Sequence, residues 1–142
     1  MRATIVVAIF LIAATVSTWS APATTKIVRK ELFKAQIGRQ PVSTVDVREI
    51  VFRPGQKTGL HRHPCPVVSY VVEGTIRFQA RGGKMKTVHA GQICYEPAGA
   101  VIEEYDNASE KARAKFIGFY LLNGQKELIE MLPEVKSAGN RR

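Results

Sequence analysis

The stretch PGQKTGLHRHP, residues 54–64, combines a turn with two closely spaced histidines. It starts with a Pro-Gly turn and ends in His61-Arg62-His63, which holds two of the 3 histidines. In an extended strand, residues two apart point to the same face, so His61 and His63 would project side by side. Two adjacent imidazole nitrogens can bind one ion, and the pattern therefore predicts a site for a divalent metal ion. The sequence does not determine which metal binds.

The surrounding sequence has the pattern of short strands separated by turn residues. Within residues 75–80, Ile76, Phe78 and Ala80 alternate with polar residues and would share one face. Gly82-Gly83 then suits a hairpin turn, because adjacent glycines accept positive φ angles. Turn signals recur about every eight to twelve residues, which predicts an all-β sandwich or barrel. The predicted strands are residues 45–53, 67–72, 75–80, 84–88, 92–96, 100–105 and 115–122.

The pattern changes after Asn123-Gly124. Leu128, Ile129 and Leu132 recur at helical spacing, with charged residues between them. This predicts a short amphipathic helix over residues 125–132, ended by Pro133 and followed by a frayed tail.

Two frames resemble the motifs of the cupin superfamily. The first, G-x5-H-x-H-x3-V-x6-G, runs from Gly55 to Gly74, and the second begins G-x5-P-x-G from Gly91 to Gly99. The resemblance covers residues 45–122 and implies a small single-domain jelly-roll, or double-stranded β-helix, barrel. It also implies a divalent metal in the barrel mouth, bound by two His and one Glu of the first motif and one His of the second.

The sequence departs from that ligand pattern at two positions. Val67 stands where the first motif has Glu, and Ile102 stands where the second has His. Neither side chain can donate electrons to a metal, so the resemblance assigns only His61 and His63 as ligands. Two histidines and water would hold an ion weakly.

Both cysteines have alternative interpretations. Cys65 continues the parity of the histidines and could offer a thiolate, whereas Cys94 occupies a strand position that suits a small buried hydrophobe. In an oxidising compartment the two could instead form a disulfide, because both lie on strands expected to flank the barrel mouth.

Three glutamates, Glu96, Glu103 and Glu104, are candidates for a third ligand. Glu104 shares the parity of Ile102, and surface exposure is expected for at least two of the three. The remaining histidine, His89, precedes a turn and is expected to be exposed.

Composition excludes several classes of protein. The chain has 142 residues, 45% of them hydrophobic, which is enough for one ordinary core and too few for two full domains. Two cysteines are too few for a disulfide scaffold. The net charge of +9 is spread along the chain without a basic helix, so no nucleic-acid partner is expected.

The first residues have the organisation of a secretory signal. Met1-Arg2 precedes an apolar segment, residues 3–16, which is shorter than a membrane span and is followed by small and polar residues. We predict a signal peptide over residues 1–23, cleaved after Ala23, with cleavage after Ser20 as the less favoured alternative. We also predict a periplasmic or secreted protein whose mature chain has no integral membrane segment. The remainder divides into an N-terminal arm or strand (24–44), the barrel (45–123), and the short helix and tail (124–142).

Two functions follow from these patterns. The first is a metal-dependent cupin that acts on a small polar molecule through His61 and His63. The alternative is a degenerate, metal-free cupin that binds a small ligand in an apolar barrel. No catalytic residue or organic cofactor can be assigned, because the sequence shows no partnered nucleophile, phosphate loop or dinucleotide fingerprint. Whether the protein is an enzyme of dioxygenase, isomerase or lyase type stays open. Cupins often pair through sheet edges, so the resemblance also implies a homodimer.

Overall fold

The computed structural model describes residues 26–133, whose regular secondary structure consists entirely of β-strands. The predicted signal peptide and the end of the tail lie outside the described residues. The strands are β1 (Thr44–Phe52), β2 (His61–Arg62), β3 (Val67–Glu73), β4 (Thr75–Ala80), β5 (Lys86–His89), β6 (Ile93–Glu96), β7 (Val101–Asn107), β8 (Ala114–Leu122) and β9 (Glu130–Met131).

The strands form two antiparallel sheets. One sheet has the order β1-β8-β3-β6 and the other has the order β5-β4-β7-β2-β9. Because strands adjacent in a sheet are mostly distant in sequence, the chain crosses repeatedly from one sheet to the other, as in a jelly-roll. The predicted all-β jelly-roll fold is confirmed.

The core lies between the sheets and follows from strand alternation. In β3, Val67, Ser69 and Val71 point inward and are at most 2% exposed. The rings of Phe52, Tyr105 and Phe116 meet at centroid separations of 5.0 to 6.3 Å. Each fully buried large apolar side chain contributes about 1.5–3 kcal/mol, so these rings supply much of the core energy.

Two glycines make turns that other residues would strain. Gly74, between β3 and β4, has a φ of 79°, and a Cβ there would lie 2.7 Å from the carbonyl oxygen of Arg113. The first motif frame therefore ends in a residue without a side chain. In the predicted turn after β4, Gly82 has a φ of 76° and the backbone N–H of Gly83 donates to Ala80 at 2.8 Å.

The prediction of a C-terminal helix is wrong. None of residues 125–132 is helical, and β9 pairs with β2 instead. Both oxygens of Glu130 accept hydrogen bonds from the Arg62 guanidinium at 2.8 Å, and the backbone N–H of Leu132 donates to Leu60 at 2.8 Å. An isolated helix this short is marginal in water, so pairing along the open edge of β2 determines the conformation.

Residues 26–133 contain no helix with the length and apolarity that a membrane crossing requires.

Candidate metal centre

A cavity of about 200 Å³ is lined by side chains from both sheets. Most of its wall is aliphatic or aromatic. The ionisable groups among its lining residues include His61, His63 and Glu96, which form a three-residue cluster that we call the His-His-Glu cluster.

The alternation of β2 brings the two histidines together. His61 and His63 are 2% and 5% exposed, while Arg62 between them points to solvent. Their ring centroids are 5.2 Å apart. His61 lies in β2 and His63 directly follows it, and the chain projects both imidazoles to the interior, as their spacing predicts.

Glu96 supplies a carboxylate at the same point. Its Oε2 lies 3.5 Å from Nε2 of His61 and 3.3 Å from Nε2 of His63. The three donor atoms all lie within 4.8 Å of one another. Glu96 ends β6 and is 3% exposed, so this carboxylate is enclosed by protein.

Backbone carbonyls fix the orientation of both imidazole rings. Nδ1 of His61 donates to the carbonyl of Gly59 at 2.7 Å, and Nδ1 of His63 donates to the carbonyl of Leu128 at 2.5 Å. A carbonyl only accepts, so Nδ1 carries the proton in each neutral ring and Nε2 keeps its lone pair. Histidines that bind metals usually donate their second N–H in this way.

The His-His-Glu cluster fits a divalent ion. Two imidazole lone pairs converge on a carboxylate oxygen, and Oε2 of Glu96 is buried without a hydrogen-bond partner. Such an arrangement requires a cation or a shared proton, because lone pairs in close contact repel. Ligand atoms about 2.0–2.2 Å from a tetrahedral ion lie roughly 3.3–3.6 Å apart. The observed separations of 3.5 and 3.3 Å agree with this geometry.

The charges of the cluster shift the pKa values of two members in opposite directions. Burial alone would lower the pKa of His63, but contact with the Glu96 carboxylate outweighs it and raises the pKa. Burial would raise the pKa of Glu96, but the polar contacts with His61 and then His63 outweigh it and lower the pKa. Neither histidine makes a hydrogen bond to Oε2 of Glu96 in this arrangement. Attraction between the imidazoles and the carboxylate therefore requires a proton or a cation between them.

The other two candidate glutamates are half-buried and pair with arginines instead of the histidines. Glu103 pairs with Arg81 at 3.1 Å and Glu104 pairs with Arg77 at 3.4 Å. His89 is exposed, as predicted, and contacts the hydroxyl of Thr75 at 3.2 Å. Of the three glutamates, the structure brings only Glu96 to the histidines.

The cysteines do not join the cluster and do not form a disulfide. Both thiols are free and buried. Cys65 packs with Val67 and Leu122 in a small cluster, whereas Cys94 belongs to the main core. Burial raises the pKa of both thiols, so each behaves as a small hydrophobe.

The two positions that depart from the motif have different environments. Val67 lines the cavity and is the direct cross-strand partner of Glu96. Ile102 is paired with His61 but is fully buried in the main core. The carboxylate of Glu96 therefore lies beside position 67, on the neighbouring strand. The His-His-Glu cluster contains no third imidazole to replace the histidine that the motif has at position 102.

Sequence reasoning did not single out four polar residues of the cavity wall. They are Thr58, Ser69, Tyr105 and Tyr120. For Ser69 a signal existed, because it shares the parity of Val67 along β3. Nothing local marks Tyr105 as different from a core aromatic residue.

The family comparison agrees with the motif frames and with the fold. The family model for the cupin domain matches residues 48–129. The chain belongs to the cupin family. Comparison with curated proteins gives no match.

Solved structures show the same fold. A cupin-like protein from Thermotoga maritima is 25% identical with a TM-score of 0.52, over 66% of this chain and 68% of that one. A structure of the DMSP lyases RdDddP and RnDddQII is 20% identical with a TM-score of 0.55, over 64% and 45%. Oxalate decarboxylase from Bacillus subtilis is 19% identical with a TM-score of 0.54, over 62% of this chain and 24% of that one. The matched part of this chain therefore covers less than half of the length of each of these two enzyme chains.

Proposed function

We propose that this protein is a metal-dependent cupin that binds a divalent ion through His61, His63 and Glu96 and acts on a small molecule in the adjoining cavity. One observation carries the proposal. Three buried donor atoms lie within 4.8 Å of one another, and both histidines present Nε2 because backbone carbonyls hold Nδ1.

The donor set suits chemistry on a bound molecule. Two imidazoles and one carboxylate leave coordination positions open, as in catalytic zinc sites and two-histidine, one-carboxylate iron sites. A metal held there would supply Lewis acidity or a redox centre. The carboxylate of Glu96 offsets part of the ion's charge, and the apolar cavity wall limits access of water.

A metal-free binding protein is the second candidate function. It is favoured by Ile102, which occupies the second-motif ligand position and packs in the core. It is also favoured by the apolar character of the cavity, which would hold a small ligand without an ion.

Metal analysis of protein purified without a histidine tag separates the two functions. Stoichiometric Fe, Mn, Ni, Cu or Zn, as isolated or after reconstitution, would support the metal-dependent function. Failure to retain any of these ions after reconstitution would favour the metal-free binder. A variant with His89→Ala, which alters a histidine away from the cluster, serves as the control and should retain as much metal as the unmodified protein.

We also propose that the protein is a homodimer. Strand β1 lies at a sheet edge, and Val45, Val47 and Val51 on one of its faces are 54%, 51% and 46% exposed. The open edge of β1 offers unpaired backbone groups to another chain, and a second copy related by a twofold axis would cover both edges at once. Sedimentation should give a dimer at micromolar concentration that Val47→Lys weakens; monomer alone would overturn the assembly.

Export of the mature chain is a further part of the proposal. The change from an apolar run to a polar, basic segment near Pro22 supports cleavage after Ala23. Mass spectrometry of protein from its native host should find a chain that begins near Thr24. An intact Met1 in a cytosolic fraction would contradict export.

A further inference from the structure

Tyr105 carries a buried hydroxyl that the fold does not use. Its ring packs against Phe52, Phe78 and Phe116 at centroid separations of 6.3, 6.1 and 5.0 Å. The residue is 3% exposed, yet its Oη has no hydrogen-bond partner among the described residues. Burying an unpartnered hydroxyl costs folding free energy, and phenylalanine would fill the same space without that cost.

The Tyr105 side chain forms part of the wall of the cavity that holds the His-His-Glu cluster. Tyr105 and Ser69 both line it, and Ser69 is 2% exposed. Burial raises the pKa of Tyr105 well above its ordinary value, although contact with Ser69 opposes the shift. The two hydroxyls lie close together without hydrogen-bond geometry. Tyr105 therefore keeps its proton at neutral pH and remains free to donate it.

The size and chemistry of the cavity limit what can accept that hydrogen bond. Its volume is about 200 Å³, below the roughly 300–1,000 Å³ of pockets for drug-sized ligands. An apolar cavity of roughly 150 Å³ can hold benzene. Among the described residues no lysine or arginine lines this cavity, so only an ion held by the His-His-Glu cluster would offer an anionic ligand a positive partner.

We propose that the cavity selects a small, largely apolar molecule carrying a hydroxyl or carbonyl oxygen, and that Tyr105 donates a hydrogen bond from Oη to this oxygen. The apolar body of the molecule packs against Phe52 and Phe116. This inference rests on the proposed function, because it places the substrate in the cavity beside the metal ligands. It makes Tyr105 a specificity-determining residue.

Phenol and toluene test the proposed hydrogen bond from Tyr105 directly. They have the same number of heavy atoms, and phenol carries a hydroxyl where toluene carries a methyl group. Binding is measured on full-length protein freed of metal by a chelator, from NMR shifts of the Val67 methyl groups. Phenol should bind about fivefold more tightly than toluene, which corresponds to one net hydrogen bond. In Tyr105→Phe the two affinities should agree within about twofold, with toluene unchanged.

The matched control is Tyr70→Phe, which removes the hydroxyl of a tyrosine on the opposite face of β3. It should retain the preference for phenol. Tyr105→Phe should also unfold at the same temperature or a higher one, because it removes an unpartnered buried hydroxyl. A structural role for that hydroxyl predicts lower stability instead.

Three outcomes would overturn the inference: equal affinity for both probes in the unmodified protein, a preference for phenol that survives Tyr105→Phe, or no Val67 shift with either probe at millimolar concentration. The unmodified protein alone decides the first and third. Metal uptake is measured on separate samples, so failure of the proposed metal function and failure of this inference are distinguishable.

Discussion

Val67 and Glu96 are direct cross-strand partners on β3 and β6, and both side chains line the cavity. The cupin motif has its glutamate at the position that Val67 occupies here. Cβ atoms of antiparallel partners lie about 4.5–5.5 Å apart. A carboxylate from position 96 can therefore reach the space that a glutamate at position 67 would occupy, and it contacts both histidines.

An exchange of these two side chains tests this relationship. Glu96→Val should lower zinc affinity by at least about tenfold, or about 1.4 kcal/mol, because one of three ligands is lost. Adding Val67→Glu should restore most of the affinity, since the carboxylate returns from the neighbouring strand with nearly the same total volume. Zinc titration with a competing chelator measures both effects.

The control for the exchange is Val68→Glu in the Glu96→Val background. Position 68 faces the opposite side of β3, so a carboxylate there should not rescue zinc binding. A folded Val67→Glu, Glu96→Val protein that binds zinc no better than Glu96→Val alone would show that the two positions are not interchangeable.

Removal of both histidines should abolish metal uptake without unfolding the barrel. The double change His61→Ala, His63→Ala deletes two of three donors, whereas the aromatic core of Phe52, Tyr105 and Phe116 is untouched. Circular dichroism should show native strand content, and elemental analysis should show no bound metal. Stoichiometric metal in this folded variant would place the metal elsewhere in the chain.

The pH dependence of stability should reflect His63 and Glu96 when no metal is bound. The pKa of His63 is raised above 6.5, so its contribution is present below about pH 6.5 and is lost as pH rises through the folded value. The pKa of Glu96 is lowered below 4.5, so its contribution is present above about pH 4.5 and is lost as pH falls through the folded value. The metal-free protein should therefore gain most from this pair between about pH 4.5 and 6.5.

Urea unfolding of the metal-free protein and of His63→Gln isolates this contribution. The difference in unfolding free energy between them should shrink as pH rises from 6 to 9. Zinc affinity should increase over the same range, because metal and proton compete for the imidazole nitrogen. A difference that is independent of pH would contradict the proposed contact with Glu96.

The two cysteines should be present as unreactive thiols. Burial raises the pKa of both, so little thiolate forms at neutral pH and reagents have poor access. A thiol-specific reagent should modify neither residue in the native protein, and both after unfolding without a reductant. Fewer than two thiols in the unfolded protein would indicate that Cys65 and Cys94 are oxidised.

The parts of the fold that local sequence determines could be predicted from it. The face shared by His61 and His63 follows from their spacing of two in a strand, and the turn at Gly82 follows from the φ angles that glycine accepts. Strand alternation in β4 placed Ile76 and Phe78 inward for the same reason. These features depend on residues close together in the chain.

The features that sequence could not provide depend on pairing between distant segments. Glu96 was one of three candidate glutamates, and only the register of β3 with β6 places it beside the histidines. The spacing of Leu128 and Ile129 suggested a helix, but the open edge of β2 pairs with this segment as a strand. The free hydroxyl of Tyr105 depends on what surrounds it in the core, which its position in β7 does not reveal.

We propose that one divalent ion binds to His61, His63 and Glu96 together. A crystal structure of zinc-loaded protein, with anomalous diffraction collected on both sides of the zinc absorption edge, tests it most directly. We expect one strong anomalous peak about 2.0–2.2 Å from Nε2 of each histidine and from a carboxylate oxygen of Glu96. A peak that excludes Glu96, or no peak in the cavity of the loaded protein, would contradict it.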